Sequence, residues 1–165
     1  MRCPAFRLPA VLVLAAVLAA GEVRVATALP PPPAPASGRH AEVTVEPTAT
    51  SIYIGKVSLA MPPFTRRNGV YTTAYHARVF PFFFYSERGN ISIEFSDEQL
   101  QKLERGETVY FKGDARSSDG DSRRIEGRAV PDAAGGGPGK IKVRVWVSKR
   151  IELIFNSVYR FTGKE

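Results

Sequence analysis

Ile141, Val143, Val145, Val147, Ile151, Leu153, Phe155, Tyr159 and Phe161 all fall on odd positions. Alternation with period two turns one face of a strand dry and leaves the other wet, so it commits this segment to β-structure. Constant parity over such a length fits either one long curved strand or a hairpin with a three-residue loop at Ser148-Lys149-Arg150. A two-residue loop would flip the parity. Neither form is excluded, because Ser148 to Arg150 lacks the Gly or Asn that tight hairpins prefer.

The same alternation runs through the chain from Glu42. Val43 and Val45 alternate with polar neighbours, Ile52 and Ile54 flank Tyr53, Gly55 reads as a bulge, and Val57 and Leu59 resume the pattern. Met61-Pro62-Pro63 ends that run, and Arg66-Arg67-Asn68-Gly69 reads as a turn. Val70 to Phe80 follows as a strand with Tyr71, Thr73, Tyr75, Ala77 and Val79 on one face; Pro81 cannot donate to a ladder, so regular pairing should stop or bulge there. Glu87-Arg88-Gly89-Asn90 reads as a further turn, leading to a strand through Ile91, Ile93 and Phe95.

One helix is signalled, over Asp97 to Arg105. Ser96 and Gln99 have the spacing of a capping box, Asp97 and Glu98 suit the positive N-terminus, and Gly106 suits a left-handed terminator. Leu100 and Leu103 share a face that should dock on the sheet. Beyond the helix, a three-residue loop at Ser118-Asp119-Gly120 sets Lys112 against Glu126 and Asp114 against Arg124 on the wet face. On the dry face it sets Phe111 against Gly127 and Gly113 against Ile125, so each bare glycine meets a large apolar side chain. Pro131 to Gly139 is rich in Gly and Ala, lacks the Lys-Ser/Thr ending of a phosphate cradle, and reads as a flexible connection.

The resulting fold class is mainly β: an antiparallel β-sandwich or partly closed barrel of about seven or eight strands with one short helix. Residues 42–165 form this single domain, about 125 residues and enough for one core. Ahead of it, residues 29–41 carry Pro30-Pro31-Pro32-Pro33 and Pro35 and read as a disordered, solvated spacer.

Residues 1–28 read as a signal peptide. Arg2 and Arg7 precede an uncharged stretch from Leu8 to Gly21, and Ala26-Thr27-Ala28 offers small residues for cleavage; Ala19 and Ala20 are alternative sites. Glu22 and Arg24 interrupt the apolar run too early for a spanning helix. The expected location is therefore periplasmic or extracellular. Cleavage would remove Cys3, the only cysteine, leaving a disulfide-free domain without a thiol nucleophile. It would also remove Arg2, Arg7, Arg24 and Glu22, lowering the formal charge from +7 to +5. So modest an excess is foremost a solubility device, and nucleic acid is not the expected partner.

Chemistry is sparsely signalled. His40 and His76 stand far apart without ligand spacing, and Asp119, Asp121 and Asp132 serve turns more readily than they would hold calcium. No catalytic residue, metal or cofactor is assigned. Two surfaces remain. Lys140, Lys142, Arg144, Trp146 and Arg150 fall on even positions and make a basic strip with one indole, suited to an anionic envelope component. Phe80, Phe82, Phe83, Phe84 and Tyr85 cannot all enter one narrow core and are candidates for an apolar ligand or partner. The expected function is an exported, non-catalytic β module offering a binding or structural surface at the cell envelope. The alternatives are a carrier with an apolar ligand in a β-barrel cavity, the aromatics at its mouth, and, third, an enzyme of unidentified class.

Overall fold

Alternating sequence becomes ten antiparallel strands in the computed structural model, which describes residues 38–53, 55–133 and 137–163. The strands are β1 (Glu42–Val45), β2 (Thr48–Ile52), β3 (Gly55–Ala60), β4 (Phe64–Arg67), β5 (Val70–Phe80), β6 (Glu87–Glu94), β7 (Val109–Ser117), β8 (Ser122–Pro131), β9 (Gly139–Trp146) and β10 (Glu152–Phe161). Helix α1 (Asp97–Glu104) joins β6 to β7. The expected signal peptide and all of the spacer before Gly38 lie outside the described residues. Gly38 to Ala41, where the spacer was expected to end, make a turn held by Ala41 N–H donating to the Gly38 carbonyl (2.9 Å).

Eight strands close a ring in the order β5–β4–β1–β10–β9–β8–β7–β6, with β6 pairing back onto β5. Of the two architectures the sequence allows, sandwich or partly closed barrel, the barrel is the one adopted, and it is fully closed, β10 pairing with β1 from Val43↔Phe161 to Val45↔Tyr159. Closure leaves no free edge in the ring. Hairpin β2–β3 lies outside it, attached through β3 to the end of β5. All these ladders lie between Glu42 and Phe161, and Pro32–Glu165 is a compact unit by itself.

Register explains the buried faces. β3 pairs with β5 from Lys56↔Phe80 to Ala60↔His76, whereas β4 pairs from Thr65↔Thr72. One extra residue is therefore absorbed at Met61-Pro62-Pro63, and inward parity changes from odd to even, burying Phe64 and Arg66. The sequence places a four-residue turn here; only Asn68 and Gly69 make it, at φ 50° and 78°, while Arg66 and Arg67 belong to β4.

Two other turns differ from expectation. Gly55 is not a bulge but the first residue of β3 after the hairpin at Tyr53, and its bare Cα admits the Phe80 carbonyl: a Cβ there would lie 2.0 Å from that oxygen. Glu87 to Asn90 are strand, paired with Ala77 to Ala74 of β5, and the reversal lies earlier, between Phe80 and Glu87. The expected connection from Pro131 to Gly139 is shorter, because Pro131 ends β8 and pairs with Gly139 at the start of β9, whereas the expected β7–β8 register holds. β7 and β8 adopt the register Lys112↔Glu126, Asp114↔Arg124, Phe111↔Gly127 and Gly113↔Ile125. At the C-terminus the hairpin form is the one present, with Trp146↔Glu152 pairing and Val147 N–H donating to the Ile151 carbonyl (3.0 Å) across Ser148-Lys149-Arg150.

The barrel ends are unlike. At one, α1 inserts Leu100 and Leu103 into the core beside Phe95, Val109 and Phe111. Its capping box is complete, Ser96 Oγ accepting from Gln99 N–H (3.2 Å) and Gln99 Oε1 from Ser96 N–H (2.8 Å). Buried Arg66 ties the helix down, donating to the Phe95 carbonyl (3.0 Å) and pairing with Asp97 (2.8 Å). At the other end, hereafter the loop end, lie the β2–β3, β5–β6, β7–β8 and β9–β10 connections. No helix among the described residues is long and apolar enough to cross a membrane.

Candidate functional site

Even positions of β9 point outward, so Lys140, Lys142, Arg144 and Trp146 share the outer wall as expected; Arg150 does not join them, because it lies in the β9–β10 turn. The register with β8 enlarges the strip in a way that sequence reading missed. Lys142 lies opposite Arg128, and Trp146 lies opposite Arg124, whose guanidinium sits 4.2 Å from the indole centroid. Arg144 lies opposite Glu126, the acid that interrupts the wall. Extending the β7–β8 register across the 131–139 connection would have found Arg124 and Arg128, but that loop gives no register of its own.

The interior is mostly filled. It retains an apolar cavity of about 100 Å³ lined by residues from around the ring, including Val43, Ile91, Phe111, Val143 and Tyr159, and by Leu59 of the flanking strand β3. Drug-sized ligands occupy pockets of roughly 300–1,000 Å³, so a single small ring is the scale this space admits. None of Phe80, Phe82, Phe83, Phe84 and Tyr85 lines it.

Those aromatics gather at the loop end instead. Regular strand alternation would put Phe82 and Phe84 on one side, but Phe83–Tyr85 is a 3₁₀ turn. Phe82 alone packs inward, against the cluster of Val57, Val79 and Phe155. Phe80, Phe83, Phe84 and Tyr85 stay 61–75% exposed, Phe83 meeting Phe80 edge to face and Tyr85 tilted on Phe84.

Just inside that end lies a polar network that sequence reading did not assemble. The Tyr75 hydroxyl donates to Glu87 Oε1, and Arg123 donates to Glu87 Oε2 (3.0 Å), Asp121 Oδ2 (2.8 Å) and the Val147 carbonyl (3.2 Å). Burial pushes the Tyr75 phenol well up, helped by its hydrogen bond to Glu87. For Arg123, burial alone would lower the pKa, but the two carboxylates outweigh it and raise it. Both groups are thereby held in their protonated forms. With Arg123 donating to three acceptors, the network serves to tie β6, β8 and the β9–β10 turn together across the barrel mouth. Odd parity on β5, β6 and β8 was the signal that could have placed Tyr75, Glu87 and Arg123 on one inner face.

The histidines stand apart. His40 packs edge-on against Phe161 (4.6 Å), its Nε2 is 3.5 Å from Glu104 Oε1, at the limit of hydrogen-bond length, and burial lowers its pKa. His76 sits on β5, its pKa lowered by desolvation and by Arg88 and Arg78. Asp121 is engaged by Arg123, and Asp119 lies in the β7–β8 turn. No group of three His, Cys, Asp or Glu among the described residues is placed to hold a metal.

Fold and site together define a closed eight-stranded antiparallel barrel with a cationic outer wall, a helix-sealed end and an aromatic end. No protein-family model matches the chain, and it has no match among the curated proteins or the solved structures.

Proposed function

We propose that this chain is an exported, non-catalytic β-barrel module that holds an anionic component of the cell envelope against its β8–β9 wall. The observation that carries the reading is the register that sets Arg128 beside Lys142 and Arg124 against Trp146, doubling the width of a strip that β9 alone would make. A rigid closed sheet fixes these cations at strand spacing, about 4.8 Å between neighbours, without the ordering cost of a flexible basic tail. Placement at the envelope rests on the leader-like residues 1–28. The Pro32–Glu165 unit should be retained on immobilised heparin, a soluble anionic polysaccharide, and released as salt rises. The triple variant K140E/K142E/R144E should elute at clearly lower salt; unchanged retention would sink the reading.

The cavity supports a second, narrower reading: carriage of one small apolar molecule inside the barrel. Native mass spectrometry of the purified unit should then find added mass of single-ring size, and a bare protein mass after incubation with toluene would dismiss it.

A further inference from the structure

Six of the seven large hydrophobic residues exposed among the described ones belong to the loop end: Tyr53, Phe80, Phe83, Phe84, Tyr85 and Ile151. They stand on or at the edge of three separate connections, the β2–β3 hairpin, the β5–β6 reversal, which Phe80 of β5 leads into, and the β9–β10 turn. From these residues we infer that the loop end docks on the surface of a bilayer containing anionic lipids, a role separate from that of the β8–β9 wall.

Chemistry points to a lipid surface through charge. Lys56 is the cross-strand neighbour of Phe80, Arg78 shares its outward face two residues earlier, and Lys149 and Arg150 immediately precede Ile151. All four are exposed, and none forms an ion pair among the described residues. Of the acids nearby, Glu87 and Asp121 are engaged by Arg123, which leaves Asp119 and Glu152 outside that network. Tyr and Phe at headgroup depth, flanked by Lys and Arg, are the side chains that anchor proteins at an anionic interface.

Backbone accounting lowers the cost of entry at three donors of the aromatic turn. A segment that leaves water must keep its N–H groups bonded internally. At the aromatic turn Phe83 N–H donates to the Pro81 carbonyl (3.1 Å), Tyr85 N–H to Phe82 (3.1 Å) and Ser86 N–H to Phe83 (3.0 Å). The tip can therefore immerse its rings without stranding those three donors. Tyr53, at a hairpin tip and fully exposed, projects outward, as suits insertion into a soft layer better than a protein groove.

The test is flotation of the Pro32–Glu165 unit with phosphatidylcholine vesicles, with and without phosphatidylglycerol. Binding should require phosphatidylglycerol and weaken with salt. The F83S/F84S variant, altered only at exposed positions and checked by its melting curve, should lose at least about tenfold in partitioning. K149E/R150E should fall toward the level of neutral vesicles, while K140E/K142E/R144E should keep its vesicle binding, separating this surface from the wall. Binding that F83S/F84S leaves intact, or no binding to either vesicle, would overturn the inference.

Discussion

Three tyrosine hydroxyls are held inside the barrel where ionisation is resisted. Tyr71 donates to the His40 carbonyl (2.6 Å), Tyr75 donates to Glu87, and Tyr159 Oη is buried with no hydrogen-bond partner among the described residues. Burial is the leading cause of the upward shift in each, taking Tyr159 to about 12 from the ordinary 10.0 and the other two higher. Below pH 10 both folded and unfolded chains keep these protons, so nothing is lost. Above it the unfolded chain releases protons that the barrel retains, and stability falls as pH rises through the folded values. Urea melts should show a midpoint that is level from about pH 8 to about pH 9 and falls between about pH 10 and about pH 11, the fall being shallower in a Tyr159→Phe variant. A midpoint independent of alkaline pH would refute the coupling. The glycines divide residue-scale legibility. Gly127 under Phe111 was readable from the cross-strand register, and a Cβ there would lie 2.2 Å from the ring. Gly89 was not: it resembles a turn residue, yet its bareness serves the approach of the Arg116 carbonyl, 2.0 Å from where a Cβ would stand.

At the scale of elements, local signals were legible where the interactions that fix them are local. α1 is specified by Ser96, Gln99 and Gly106, all within a dozen residues, and Gly106 adopts φ 83° as a terminator should. Glu87 to Asn90 went astray because Arg-Gly-Asn favours turns locally, while pairing with β5 on one side and β7 on the other imposes strand. Ser148 to Arg150 stayed open for the converse reason: no glycine marks the hairpin, and only the ladder between β9 and β10 decides it. The basic strip was legible on β9, whereas its second row on β8 depends on a register formed across a loop. For α1 the expected cost of error is modest. Ser96→Ala should lower stability by about 1 kcal/mol, read as a shift in urea midpoint with unchanged slope. A loss near zero would mean that Arg66, Leu100 and Leu103 hold the helix without its cap.

For the whole molecule, closure is the property on which the rest depends. β10 pairs with β9 along eight residues from Glu152 to Tyr159 and with β1 from Val43↔Phe161 to Val45↔Tyr159, so it is the last stave and the seal at once. It also supplies Phe155 and Tyr159 to the buried core. Ending the chain before Phe155 would uncover the open edges of β1 and β9, remove two buried aromatic side chains and admit water to a lining that is otherwise apolar. Large aromatic truncations cost roughly 3–5 kcal/mol each, and a domain of this size has only about 5–15 kcal/mol in reserve. Exposed apolar edges then favour pairing between chains over refolding. The truncated unit should therefore lose its cooperative melt and elute as aggregate in size-exclusion chromatography. A soluble monomer with a sharp transition would mean that seven staves hold the fold and that closure by β10 is dispensable.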